Sequence, residues 1–106
     1  MLRVSADVQI EVANLYSSYA SALDDGPLED WPQHFTDQCI YQIISRENIE
    51  RDLPLAIMRC ESRAMLEDRV TAVRETMLYE PRYLRHHITN IAICRDDDGY
   101  LTASAN

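Results

Sequence analysis

The chain has 106 residues, 46% of them hydrophobic and 26% charged, which suits one folded domain over residues 1–106 and excludes a disordered composition. Eighteen acids against ten bases give a net charge of −8, so binding nucleic acid through phosphate neutralisation is excluded as its main role. No apolar run approaches the roughly 18–20 residues that cross a bilayer, and the opening stretch MLRVSADVQIEV lacks the apolar core of a signal peptide.

In chain order, the first predicted element is a helix over Ala6–Asp24. Val8, Val12, Leu15, Tyr16, Tyr19 and Leu23 recur at steps of three and four and form one apolar stripe. Ser5 is placed to cap it and Asp7 sits in its first turn. Gly26-Pro27 ends it, because glycine tolerates a left-handed cap and proline cannot continue the hydrogen bonding. The stretch LEDWPQHF reads as a short second helix that lays Leu28, Trp31 and Phe35 against the first.

The period then changes. FTDQCIYQIIS places Cys39, Tyr41 and Ile43 on one face and Ile40, Gln42 and Ile44 on the other, which is strand spacing with partial cover expected on both sides. RENIERD reads as a charged loop or frayed turn, and LPLAIMRC as a short strand with Pro54 at its start. Ser62 caps a predicted third helix from Arg63 to about Leu78, with Leu66, Val70, Val73 and Met77 on its apolar side. YLRHHITNIAICR reads as one long strand, DDDG as a hairpin turn and YLTASAN as the returning strand. Helices early and antiparallel strands late predict an α+β fold with helices packed on a curved sheet. The last strand stops at Asn106 with an open edge, so this edge is expected to pair with something or the natural chain to be longer.

The chemistry available is narrow. His86 and His87 are adjacent, and neighbouring strand residues point to opposite faces, so the two rings do not share a metal. His34 is the only other histidine, and no H-x-x-x-H spacing exists, which argues against a zinc or iron site. Cys39, Cys60 and Cys94 form no C-x-x-C and read as small buried apolar residues in a reducing cytoplasm. Two glycines exclude a glycine-rich phosphate loop. One enzymatic constellation remains, an acid–base pair in a helix-lined pocket drawn from Tyr16, Tyr19, Asp24, Asp25, His34 and His86. The competing reading makes the tyrosines core residues and Asp24-Asp25 a solvated helix end, and is favoured because carboxylates at helix ends usually stay in water.

Two longer stretches, YASALDDGPLEDWPQHFTDQCIYQI and LAIMRCESRAMLEDRVTAVRETMLYEPRYLRHHITN, resemble the small (beta) subunits of aromatic-ring-hydroxylating dioxygenases, in particular the subgroup acting on aromatic acids such as terephthalate, salicylate or anthranilate. The L-D-D-G…W…F-T-D run, the S-R-A-M-L-x-D-R-V helix and R-Y-x-R-H carry the resemblance together. It implies a cystatin-like, NTF2-like cone of helices on a curved antiparallel sheet. It also implies assembly with a large alpha subunit as three of each, with the Rieske [2Fe–2S] cluster and mononuclear iron in that partner and no metal ligand or cofactor here. Such subunits continue past TASAN with further strands, which implies that this chain is C-terminally truncated.

Three functions therefore stand side by side: a non-catalytic beta subunit, a free-standing enzyme of isomerase, dehydratase or cyclase type, and a ligand-binding or dimerisation module. For the first, Arg82, Tyr83, Arg85 and His86 are the expected interface residues, since a polar strand start with an aromatic suits an interface rim.

Overall fold

The computed structural model describes residues 4–53, 56–77 and 83–106. The chain forms two compact units, Met1–Trp31 with Tyr83–Asn106, and Pro32–Arg82. Helices combine with two antiparallel strand pairs, so the class is α+β as predicted.

In the first unit, helix α1 spans Ala6–Asp24. Ser5 has an extended backbone and its Oγ accepts the Val8 N–H at 3.3 Å, satisfying one of the orphan donors of the first turn. At the other end the N–H groups of Asp25 and Gly26 both donate to the Ser21 carbonyl, at 2.8 and 3.1 Å. Gly26 holds φ +76°, a conformation that favours glycine, and this turns the chain out of the helix. Along the predicted stripe Val8, Val12, Tyr16, Tyr19 and Leu23 are half-buried, whereas Leu15 is exposed. The deepest α1 positions are Ala20 and Ala22, where a single methyl lets neighbouring chain approach closely.

The predicted second helix is two separate 3₁₀ turns, Leu28–Asp30 and Pro32–His34, one in each unit. Pro32 has no N–H to offer the Leu28 carbonyl, and Trp31 donates to that oxygen instead at 3.1 Å. Trp31 is buried as expected, and the first turn packs on α1. Phe35 belongs to the second unit and meets Tyr41 edge-to-face at 5.6 Å.

Strands β3 (Ala92–Arg95) and β4 (Leu101–Ser104) form an antiparallel hairpin. Its turn is the predicted DDDG. The Asp96 carboxylate accepts the N–H groups of Asp98 and Tyr100, and Gly99 at φ +88° closes a three-residue loop. The predicted strand over 83–95 is regular only from Ala92. Thr89 and Asn106 exchange both backbone hydrogen bonds, at 2.8 and 2.7 Å, while the β3–β4 register pairs Ala92 with Ser104. Asn90 and Ile91 therefore face Ala105 alone. This is a β-bulge, with Asn90 at φ +56° in the left-handed region that asparagine tolerates best after glycine.

In the second unit, β1 (Tyr41–Ile43) pairs antiparallel with β2 (Met58–Cys60), Tyr41 opposite Cys60. Cover on the two faces is partial and uneven: Cys39 and Tyr41 on one face and Ile44 on the other are half-buried, whereas Ile43 and Ile40 are exposed. The connection between these strands is more ordered than a charged loop. Arg46–Glu50 forms helix α2, capped by Ser45 Oγ accepting from the Asn48 N–H at 3.2 Å. Glu47 and Arg51 pair across one turn on its surface. Pro54 and Leu78 lie outside the described residues.

Helix α3 (Arg63–Met77) packs on β2 and on the Pro32–His34 turn, burying Leu66 and Val70. Its start is fixed at three points. Ser62 Oγ accepts the Met65 N–H at 3.2 Å, the Arg63 N–H donates to the Asp37 carbonyl at 3.1 Å, and the Arg63 guanidinium reaches the Asp37 carboxylate. Ser62→Ala removes one of the three and is expected to cost about 0.5–2 kcal/mol. Chemical denaturation of the variant checks this, and Ser62→Asp, which restores an acceptor, should recover most of the loss.

Candidate functional site

The first unit contains an open cleft of about 350 Å³. One wall is the face of α1 that carries Ala13, Tyr16, Ser17 and Ala20, at helical spacing. The opposite wall is Ile88 and Ile91. An uninterrupted strand would send residues three apart to opposite faces, and the extra residue at the Asn90 bulge lets both isoleucines line one cleft.

The polar end is built from two adjacent acids and two adjacent bases. Asp24 Oδ2 accepts the His86 backbone N–H at 2.5 Å, and Asp24 Oδ1 lies 2.5 Å from His86 Nδ1. The Asp24 side chain is only 2% exposed, while that of His86 is 42% exposed. Next to them, the Arg85 guanidinium donates two parallel bonds to the Asp25 carboxylate, at 3.2 and 3.1 Å. The expectation of a solvated Asp24-Asp25 helix end is thus corrected for Asp24. Two acids at a helix C-terminus oppose the macrodipole, and here Arg85 and His86 bring the compensating groups.

Burial pushes the Asp24 carboxyl up. The His86 backbone N–H and ring, with the Arg85 guanidinium behind them, outweigh that and hold it below its ordinary value. The Asp25 carboxylate in turn pushes the Arg85 guanidinium up, so this cation stays charged at every pH of interest. A group whose folded pKa is depressed contributes stability that is complete above its unfolded value and is lost as pH falls through the folded one. The clamp between α1 and His86 is therefore expected to be intact at neutral pH and to release only below the ordinary carboxyl value of 3.8. Following the Asp24 side-chain carboxyl carbon resonance against pH tests this, and a midpoint above pH 4 would contradict it.

Of the six candidates for an acid–base pocket, Tyr16, Asp24, Asp25 and His86 come together at the cleft. Tyr19 lies half-buried on α1 and does not line it, and His34 belongs to the second unit. Of the interface candidates, Arg85 and His86 make contacts within the chain, Tyr83 is 93% exposed, and Arg82 lies outside the described residues. Sequence reasoning missed the Arg85–Asp25 fork and the two isoleucines. The pairing joins residues 60 apart, which no local period reveals, while Asn90 within a β-branched run was a readable sign of the bulge.

Chemically, a carboxylate on Nδ1 fixes one tautomer of the imidazole and leaves Nε2 for a proton or a ligand. Among the described residues no group of three or more His, Cys, Asp or Glu could hold a metal ion. No described helix is long and apolar enough to cross a membrane.

Known proteins place this geometry in context. The family model for the ring hydroxylating beta subunit matches residues 18–106. The anthranilate 1,2-dioxygenase small subunit of Burkholderia cepacia is 36% identical over 96 residues, covering 91% of this chain and 60% of its own length. Subunit beta 2 of the terminal oxygenase component of terephthalate 1,2-dioxygenase from a Comamonas species is 35% identical, covering 91% and 62%. This chain thus spans about three fifths of the length of both relatives. A crystal structure attributed to the beta subunit of an aromatic-ring-hydroxylating dioxygenase, from Novosphingobium aromaticivorans, superposes with a TM-score of 0.75 at 32% identity. That match covers 97% of this chain and 76% of the other.

Proposed function

The chain belongs to the ring hydroxylating beta subunit family, and from that premise we propose that it is a non-catalytic, structural subunit of an aromatic-ring-hydroxylating dioxygenase. The observation that carries this reading is the family match over residues 18–106, which runs through both units and supports taking them as one domain of the NTF2-like class. The relatives are subunits of dioxygenases acting on anthranilate and terephthalate, which supports an aromatic acid as the substrate of the assembled enzyme.

On this reading the partner is a large alpha subunit, in an assembly of three alpha and three beta chains. The Rieske [2Fe–2S] cluster and the mononuclear iron reside in that partner. Support comes from the donor set of this chain. Its cysteines Cys39, Cys60 and Cys94 are free thiols, none paired with another, and the described residues gather no set of three ligands. On the same reading its compartment is the cytoplasm. Exposed apolar side chains fit a subunit that is covered in its assembly, with Ile40 and Ile57 in the second unit and Tyr83 in the first. We place Arg82, Tyr83, Arg85 and His86 at this contact, with Tyr83 as its aromatic anchor.

The test is co-expression with a large (alpha) subunit of an aromatic-ring-hydroxylating dioxygenase, followed by size exclusion. The two chains are expected to co-elute, and Tyr83→Ala to weaken association by about tenfold or more, as an aromatic anchor does. Failure to co-elute, or aromatic-ring oxidation by the isolated chain, would overturn the reading.

A further inference from the structure

We propose that Met65 is a reversible oxidation site at which a hydroperoxide converts a weak helix cap into a strong one. Helix α3 begins after Ser62, whose Oγ accepts the Met65 N–H at 3.2 Å. Met65 stands three residues after this cap, where a glutamate or glutamine commonly reaches back to a free backbone N–H. Its side chain makes that return contact with sulfur, the Sδ accepting the Glu61 N–H at 3.3 Å. The contact reaches one residue further back than the usual motif. A thioether is a weak acceptor, so this half of the arrangement holds loosely.

The oxidised side chain suits the same place better. Methionine sulfoxide carries its oxygen on the third atom beyond Cα, as glutamine does, and is polar where the thioether is not. Met65 is 42% exposed, so the oxidant reaches the sulfur and the new oxygen is not stranded in an apolar core. Met58 on β2 offers the contrast. It is half-buried, and its Sδ already accepts from the Arg69 Nε–H at 3.1 Å, a cationic donor that draws electron density from sulfur. In the reaction, the Met65 sulfur lone pair attacks the terminal oxygen of the hydroperoxide. The O–O bond breaks as the S–O bond forms, the proton moves to the departing oxygen, and water or an alcohol leaves. Sulfur loses two electrons and the peroxide gains them. Sulfoxide reductases reverse the change, so the cap switches both ways. The inference does not rest on the subunit reading, since it concerns this chain alone.

The experiment treats the full chain with hydrogen peroxide, then with dithiothreitol to restore any oxidised thiols, and maps sulfoxides by peptide mass spectrometry. Met65 is expected to oxidise ahead of Met58. Hydrogen exchange at the Glu61 amide, followed by NMR, should then slow by about threefold to tenfold, the range of one hydrogen bond gained. Met65→Gln should show the same slowing without peroxide. Met65→Leu, which has no acceptor, should exchange faster than the parent and show no response at Glu61 to peroxide. The parent chain before and after treatment is the decisive comparison if a variant does not fold. Oxidation of Met58 ahead of Met65 would overturn the assignment. So would unchanged or faster Glu61 exchange in the oxidised parent, parent-like exchange in Met65→Gln, or the same peroxide response in Met65→Leu.

Discussion

Leu66→Ala is expected to destabilise the protein by about 2–5 kcal/mol, the range for emptying a well-packed leucine site. Leu66 is 0% exposed, the most deeply buried large side chain of α3, and α3 rests there on β2 and the Pro32–His34 turn. The second unit has few other buried groups to share the load. Pro32, Cys60 and Val70 are the rest of its buried set among the described residues. A domain of this size holds a total stability of about 5–15 kcal/mol, so one truncation removes a large fraction of it. With a urea slope of about 2 kcal/mol per molar, the midpoint should fall by about 1–2.5 M at unchanged slope. Leu66→Met conserves volume and should cost less than about 1.5 kcal/mol. A midpoint for Leu66→Ala within error of the parent would mean that α3 is held by its cap and ion pairs, not by its core.

Asn90→Val is expected to cost about 1–2 kcal/mol, because a β-branched side chain at φ +56° crowds the following carbonyl. Asn90→Gly should be neutral within a few tenths of a kcal/mol, since glycine adopts this conformation freely. The consequence for the site is specific. If the valine relaxes the bulge, Ile88 and Ile91 no longer share a wall, and the path to the His86–Asp24 contact changes with them. The His86 amide and the Ile91 methyl should therefore shift together in Asn90→Val and stay in place in Asn90→Gly. Movement of neither resonance in the valine variant would show that the bulge does not set the face of the strand.

Both substitutions act on the scaffold, and that of the first unit also positions the Asp24–His86 pair. The Asp24–His86 pair resembles the acid–base arrangement of enzymes in its hydrogen bonding, and on the reading proposed above the chain is a structural subunit. In that setting the pair has a mechanical function. It ties the strand leading into β3 to the end of α1, and the Arg85–Asp25 fork ties it a second time one residue earlier. A clamp in which both acids accept hydrogen bonds needs them ionised, and the depressed Asp24 carboxyl keeps that true of Asp24 throughout the neutral range.

Local order was legible from residues alone wherever the physical cause is local. The bounds of α1 followed from Ser5, the three- and four-residue apolar steps and Gly26, and the hairpin turn followed from Asp96 and Gly99. The start of α3 followed from Ser62 in the same way. Helix α2 was missed although Ser45 carries a capping signal, because its surroundings are charged and show no apolar period. The family resemblance, too, was present in the sequence. What only the tertiary structure decided is which distant residues meet. Asp24 is drawn out of water because His86 arrives 62 residues later with two donors, and Ile88 joins Ile91 because one asparagine takes a left-handed turn. Capping and periodicity are settled within a turn of helix or strand, whereas burial and pairing of a charge depend on long-range contacts that no short window of sequence contains.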